Sequence, residues 1–380
     1  MRIAHICLAG AYTEGMSYQD NMLVAANRRD GHEVLIISDC MIFQSGRLKP
    51  TGPEDRVLDN GARLVRLPFD RTGPRWLTDK IKRTHRLLPL LEDFAPDVIL
   101  YHGVIGWSLL TLKAYKIRHP QVRIYLDSHE DVHNSGTNWL SYNVQYRMLT
   151  RRLAHRVLPY VEKILYISLE TRDFLLNVLD LPERVLEYYP LGGDIVPDPE
   201  RQRIRAEQRD ALGITADHIV FLHSGKMDRH KRTLEILAAF RSVASQRAKL
   251  LIVGRLDETI KQELERAMAA DERVTFLGWM NNEGLTAVMC AADVYVQPGG
   301  QSSSLQHAIC CGLAILVRPY TSHQAFLHGN GYFIETEVDM AQRMTEIVAD
   351  PSHVDDMRAA SYEVAYALLD YRKLAARLYH

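Results

Sequence analysis

"FLHSGKMDRHKRTLEILAAF", residues 221–240, is the stretch from which the fold can be read. An apolar run breaks at Ser224-Gly225, a lysine follows at 226, and Lys231 stands where a helical pattern begins. Two cations at a strand–helix junction, reinforced by the N–H groups that open a helix, suit a doubly charged phosphate group. Each charge-assisted contact there is worth about 1.5–3 kcal/mol. The plain alternative is a solvated helix start that happens to be basic.

Outward from this unit the pattern repeats. "IAHICLA", "EVLIIS", "RLVRL", "DVILYH", "RIYLDS" and "KILYIS" read as strands in the first half, and "KLLIVG", "VTFLG", "DVYVQ" and "AILV" in the second, with helical periods between them. Runs without polar alternation are strands buried on both faces, hence parallel sheets covered by helices. "YYPLGGDIVPDPE" carries three prolines and two glycines and precedes the charged "RQRIRAEQRDALG". The expected division is a Rossmann-like domain over 1–197, a linker over 198–217, a second Rossmann-like domain over 218–360, and a helix over 361–380 returning to the first. Two such domains put the carboxyl ends of their sheets around a cleft, where ligands of open parallel sheets bind.

Composition narrows the classes. At 380 residues, two α/β domains is the natural expectation, and a net charge of −1 gives no global field for nucleic acid. The start "MRIAHICLAGAYTEG" reads as a first strand and its loop rather than a signal peptide, and no window approaches 18 continuous apolar residues. The five cysteines show no C-x-x-C spacing and read as buried free thiols in a reducing cytosol.

Several motifs compete for the chemistry. The G-x-x-x-x-G-K-[ST] loop is absent, since Val220 stands at its first glycine, and no G-x-G-x-x-G follows a strand. "PGGQSSSLQHAICCG", residues 298–312, reads as a polar loop and short helix between two strands and holds no Asp, Glu, Lys or Arg. "HEDVH", 129–133, is a literal H-E-x-x-H, but a strand ends just before it and Asn134-Ser135-Gly136 breaks a helix just after, so the i, i+4 zinc geometry is not expected. "RTGPRWLTDKIKRTHRLL" carries six Lys/Arg from Arg71 to Arg86, and "RMLTRRLAHR" four arginines without an acid. Such segments are either solvated helix faces or peripheral contacts for anionic lipid.

The chain resembles the retaining glycosyltransferases of family 4, of GT-B fold. Gly225-Lys226 with Lys231 is similar to their G-[RK]-x(4)-K signature, and "LLIVGR", "VTFLGWMNNEGLTAVMCAADVYVQPGG", "GHEVLIIS", "PDVILYH" and "YYPLGGD" resemble further blocks in the family's order. The family's donor loop has two glutamates as E-x(7)-E; anchoring on Gly312 puts Gly299 and His307 at those positions, neither of them acidic. The resemblance implies sugar transfer from a nucleotide sugar to a glycan or lipid-linked acceptor, in cell-surface polysaccharide synthesis, without metal or other cofactor. It implies Lys226 and Lys231 on the leaving diphosphate and His129 beside the donor sugar or acceptor. Gly15, Gly225, Met280, Gln301, Ser302, Ser303, Ser304 and His307 would bind substrate, His307 at the ribose. A cytoplasmic location follows, peripheral at the membrane if Arg71–Arg86 docks there. The missing glutamates keep a silent GT-B subunit as an alternative, and a GT-B sugar-nucleotide epimerase is another.

Overall fold

The computed structural model describes all residues except 17, 45, 46, 132–134, 137 and 301, and all side chains of those residues but that of Arg75. The chain divides into two compact units, Met1–Pro190 with Tyr371–His380, and Leu191–Asp370.

The first unit is built on β1 (Arg2–Cys7), β2 (Glu33–Ser38), β5 (Glu54–Val57), β6 (Arg63–Arg66), β7 (Val98–His102), β8 (Arg123–Ser128), β9 (Lys163–Tyr166) and β10 (Leu186–Tyr188). Between β2 and β5, β3 (Met41–Gln44) and β4 (Arg47–Pro50) form a separate antiparallel pair. The eight-stranded order is β10-β9-β8-β7-β1-β2-β6-β5, parallel throughout except for β5 on β6. The edge strand β5, "EDRV", has no apolar pattern to announce it; Arg66 and Arg63 of β6 hold it through Glu54 and Asp55.

The strands of the second unit are β11 (Ile219–Met227), β12 (Ala248–Leu256), β13 (Val274–Gly278), β14 (Val294–Gln297), β15 (Ala314–Val317) and β16 (Gly331–Phe333). Their order, β13-β12-β11-β14-β15-β16, is all parallel. In each sheet the order reverses beside the first strand, between β1 and β7 and between β11 and β14. Ligands of doubly wound sheets bind at such switch points.

Both faces of both sheets are covered, as the unbroken apolar runs require. In the first unit Ala4, Ile6, Ile99 and Ile124 lie in one core and Ile3, Val98 and Leu100 in another. That second core is closed by the chain's end: Tyr371, Leu374, Ala375, Leu378 and Tyr379 pack into it, and the Tyr189 hydroxyl donates to Leu374 O at 2.6 Å. The segment expected as one helix over 361–380 is interrupted at Asp370, so the part belonging to the first unit begins at Tyr371.

The stretch expected as a linker over 198–217 folds instead as a helix, Asp198–Ala211, inside the second unit. Three of its arginines turn inward. Arg201, Arg205 and Arg209, one helical turn apart, reach the carbonyls of Cys311, Ala292, Cys290 and Ala291 at the ends of two other helices. Asp293 takes Arg205 at 2.6 Å, Arg209 at 2.7 Å and the Val220 amide at 2.8 Å. Removing that carboxylate strands two guanidiniums and costs about 3–5 kcal/mol. The charged run is expected as a linker because composition cannot show that its arginines recur on one face with carbonyls to meet.

Candidate functional site

The carboxyl end of β11 opens the site. After Met227, the Asp228 side chain accepts from the amides of His230 and Lys231 at 3.0 and 3.2 Å. This cap closes a single turn over 229–231, Arg232 takes a left-handed conformation (φ 57°), and the helix Thr233–Arg241 starts. The two lysines part here. Lys226 is exposed and pairs with Asp257 at 3.1 Å. Asp257 is held down at about 2, first by Thr259 and then by Lys226. Lys231 is half-buried, and burial pulls its pKa below the usual lysine value against the nearby charge of Asp228. Among the described residues its ammonium has no hydrogen-bond or ion-pair partner. A cation in that state is a standing demand for an anion.

Three glycines make room for it. A Cβ on Gly225 (φ 137°) would lie 3.2 Å from Lys231 Cε, so the lysine runs across the bare backbone. Gly254, its register partner on β12, is required because a Cβ there would come within 1.8 Å of Gly225 O. A Cβ on Gly299 would lie 2.5 Å from His230 O and 2.9 Å from Lys231 Cα. The loop after β14 therefore rests directly on the Lys231 turn, across the switch point. No side chain, glutamate included, fits at 299 with this backbone.

That loop leads into the helix Ser303–Cys310. Ser303 is exposed; Ser302 and Ser304 are half-buried and hydrogen-bond the buried Tyr295. Gln301 lies outside the described residues. Lys226, Gly225, Lys231 and the start of the serine loop are thus brought to one edge of one sheet.

His307 stands one turn into that helix, and Met280 lies at another part of the sheet. Thr286 Oγ1 donates to Asn282 O at 2.8 Å, so at 2.9 Å it accepts from His307 Nε2. Burial lowers His307 to about 4 against the opposing charge of Asp194, so the ring is neutral with Nδ1 as its acceptor. Met280 follows β13, at the far edge of the sheet, and packs with the apolar core beside Leu285.

In the first unit, Gly15 forms an exposed turn (φ 72°) with open space around it; the backbone conformation alone calls for glycine. His129 follows β8 in non-helical backbone, its Nε2 3.8 Å from Asp127 Oδ2, and His133 lies outside the described residues. Asp127 also takes His102 Nδ1 at 2.6 Å; His102 Nε2 meets His5 Nδ1 at 3.1 Å, and His5 Nε2 meets Asn27 Oδ1 at 2.8 Å. Burial would raise Asp127, but His102 and His129 bring it well below the carboxylate range. Burial would lower both those histidines, and Asp127 raises them on balance. His5, buried and beside His102, falls to about 3. Sequence reading found only His129 of this chain. The signal for the rest was present: His102 and Asp127 end two adjacent predicted strands, and parallel strands bring their ends to one edge.

The two basic segments of this unit adjoin. Helix Arg75–Ile81 spans only seven residues of 71–86, and Lys82 turns inward to the Leu8 and Ala9 carbonyls. Lys80 donates to Gln145 Oε1 at 2.7 Å, on the helical stretch Ser141–Thr150. Trp76, Trp139 and Leu140 stand 68%, 73% and 63% exposed. Arg147, Arg151, Arg152, Met148 and Asn143 line a groove beside them.

Residues 14–192 match the family Glycosyl transferase 4-like domain, and residues 218–350 match Glycosyl transferases group 1. No curated protein matches the chain by sequence. Among solved structures it is similar to sucrose-phosphate synthase from Thermosynechococcus elongatus (18% identity, TM-score 0.69, covering 99% of this chain and 97% of that one). It is also similar to Anabaena Alr3699/HepE in complex with UDP (13%, 0.70, 99% and 98%) and to the catalytic domain of starch synthase IV from Arabidopsis thaliana bound to ADP and acarbose (13%, 0.66, 99% and 99%). The two sheets have the GT-B architecture of these relatives.

Proposed function

We propose that this chain, a glycosyltransferase of GT-B fold, moves a sugar from a nucleoside-diphosphate sugar to a glycan or glycolipid acceptor with retention at the anomeric carbon. The observation that carries the reading is the half-buried ammonium of Lys231 beside Gly225 and Gly299, without a hydrogen-bond or ion-pair partner among the described residues. UDP in one structural neighbour and ADP in another support a nucleoside diphosphate as part of the donor. A silent subunit would have no use for a desolvated, unpaired cation, which disfavours that alternative.

In the reaction, the bond from the anomeric carbon to the diphosphate oxygen breaks, and the acceptor oxygen bonds on the same face. The acceptor's proton passes to the departing phosphate oxygen. Negative charge grows on the diphosphate as the bond breaks, so Lys231 and Lys226 act where fixed electrostatics lower the barrier. The neutral serine loop adds hydrogen-bond donors without adding negative charge. His307 Nδ1 can accept from a ribose hydroxyl, as a carboxylate would. His129, its pKa raised by Asp127, is the residue of the first unit assigned to the donor sugar or the acceptor. No metal ion is assigned a step.

A polysaccharide or glycolipid acceptor at a membrane surface is favoured by the exposed Trp76 and Trp139 among arginines, groups suited to an anionic bilayer interface. The location proposed with this acceptor is cytoplasmic, peripheral at the membrane. The test of the reaction is a thermal-shift panel of UDP-, GDP- and ADP-sugars with and without EDTA. Product analysis with the best binder follows, reading the anomeric configuration by NMR. An inverted product would overturn retention, and activity abolished by EDTA would overturn the metal-free mechanism.

A further inference from the structure

One buried hydroxyl underlies the uncharged loop. The ring of Tyr295, on β14, is fully buried. Its hydroxyl lies 3.1 Å from Ser224 Oγ, 3.3 Å from Ser224 O and 3.3 Å from Gln297 Oε1, and it hydrogen-bonds Ser304 and Ser302. Gln297, also fully buried, carries the connection on by donating from Nε2 to Gly300 O at 2.6 Å. Three segments are tied by this one atom. They are the end of β11 that carries Gly225 and Lys226, the loop that sets Gly299 on the Lys231 turn, and the first turn of helix Ser303–Cys310.

A phenol donates one hydrogen bond and accepts up to two. The Gln297 amide has turned its N–H to Gly300, so its oxygen faces the phenol as an acceptor. Serine hydroxyls can donate to the phenol oxygen in turn. The phenol's one proton goes to Ser224 O or to Gln297 Oε1, up to two of the serine hydroxyls donate to its oxygen, and every member of the set is neutral. Negatively charged groups in this place would weaken the hold of Lys231 on an anion; neutral hydroxyls fix the same loop without that cost.

We propose that Tyr295 is a positioning residue for the donor: its hydroxyl locks the serine loop onto the Lys231 turn and thereby presets the diphosphate site. This rests on the nucleotide-sugar reading above. The experiment first measures binding of UDP, GDP and ADP to the wild-type protein by calorimetry, then repeats it with Tyr295→Phe, which keeps the ring. Whichever nucleotide the wild type binds should bind about tenfold more weakly to the variant, about the worth of one good hydrogen bond. Donor KM should rise to match while kcat moves less than about threefold, the mark of lost ground-state binding. Adding Ser302→Ala and Ser304→Ala to Tyr295→Phe should cost no more than Tyr295→Phe alone, because the hydroxyls act as one set. If Tyr295→Phe does not fold, the Ser302→Ala/Ser304→Ala variant alone should show the same weakening. Unchanged nucleotide affinity in the folded variants overturns the proposal while leaving the wild-type reading intact. A wild type that binds none of the three nucleotides removes the reading and this proposal with it.

Discussion

The two sheets end in opposite kinds of chemistry. At the carboxyl edge of the first, one buried carboxylate, Asp127, organises a line of imidazoles from His129 through His102 to His5. At the edge of the second, the acids are occupied, Asp228 in capping a turn and Asp257 on Thr259 and Lys226, and the loop facing Lys231 carries none. The first arrangement fixes where protons sit. The second leaves Lys231 without a hydrogen-bond or ion-pair partner among the described residues, and the proposed diphosphate would supply one. On the proposed reading, two domains of one architecture serve different ligands through a few residues at strand ends.

The largest effect that would break this contrast is at Gly299. Gly299→Glu restores a carboxylate in sequence, yet its Cβ collides with the Lys231 turn. Activity is expected to fall by about a hundredfold or more, as when a preorganised oxyanion contact is lost. Steady-state rates decide it, and a fully active variant would mean that the loop does not rest on the turn.

Next comes Asp127→Asn. With its pKa lowered, Asp127 contributes stability that is present above the unfolded value near 3.8 and lost as pH falls through the folded value. With its pKa raised, His102 contributes stability that is complete below the unfolded value near 6.5 and lost as pH rises through the folded value. The wild-type advantage over Asp127→Asn should therefore be greatest between about pH 4 and 6.5 and shrink on both sides. Melting temperatures across that range give the answer; a difference independent of pH would deny the shared charge.

A smaller effect is expected at His307. His307→Ala should raise donor KM a few-fold with kcat nearly unchanged, the signature of uniform binding lost. His307→Glu should be tolerated, since either side chain presents an acceptor. A kcat loss without a KM change would take His307 out of the donor site. Smallest for turnover, Trp76→Ala with Trp139→Ala should leave rates on a soluble acceptor unaltered and reduce sedimentation with vesicles of anionic phospholipid. Equal sedimentation of wild type and variant would remove the membrane contact.

How far the sequence could be read follows the same division. Apolar runs buried on both faces announced β1, β2, β7, β8, β11, β12, β14 and β15, because complete burial leaves a continuous signature. The edge strands β5 and β16 left little, since a charged "EDRV" or a short "GYF" satisfies its backbone without an apolar pattern. The placement of Lys226 and Lys231 at the end of β11 was legible because charge at a strand–helix junction is local. Tyr295, Asp257 and Asp127 were not, because each matters through a partner distant in sequence: Ser224, Lys226 and His102. The inward turn of Arg201, Arg205 and Arg209 was hidden for the same reason.

The most direct measurement sets the two lysines against each other. Calorimetric binding of the preferred nucleoside diphosphate would be compared for wild type, Lys226→Met and Lys231→Met. Lys231, desolvated and unpaired, should account for most of the affinity, so Lys231→Met is expected to weaken binding about a hundredfold, the cost of losing a buried charge-assisted contact. Lys226, exposed and already paired with Asp257, should matter by no more than about tenfold. Wild-type affinity should also decline with rising pH as Lys231 loses its proton earlier than an ordinary lysine. Equal losses from the two substitutions, or none from Lys231→Met, would contradict the assignment of Lys231 as the cation that holds the diphosphate.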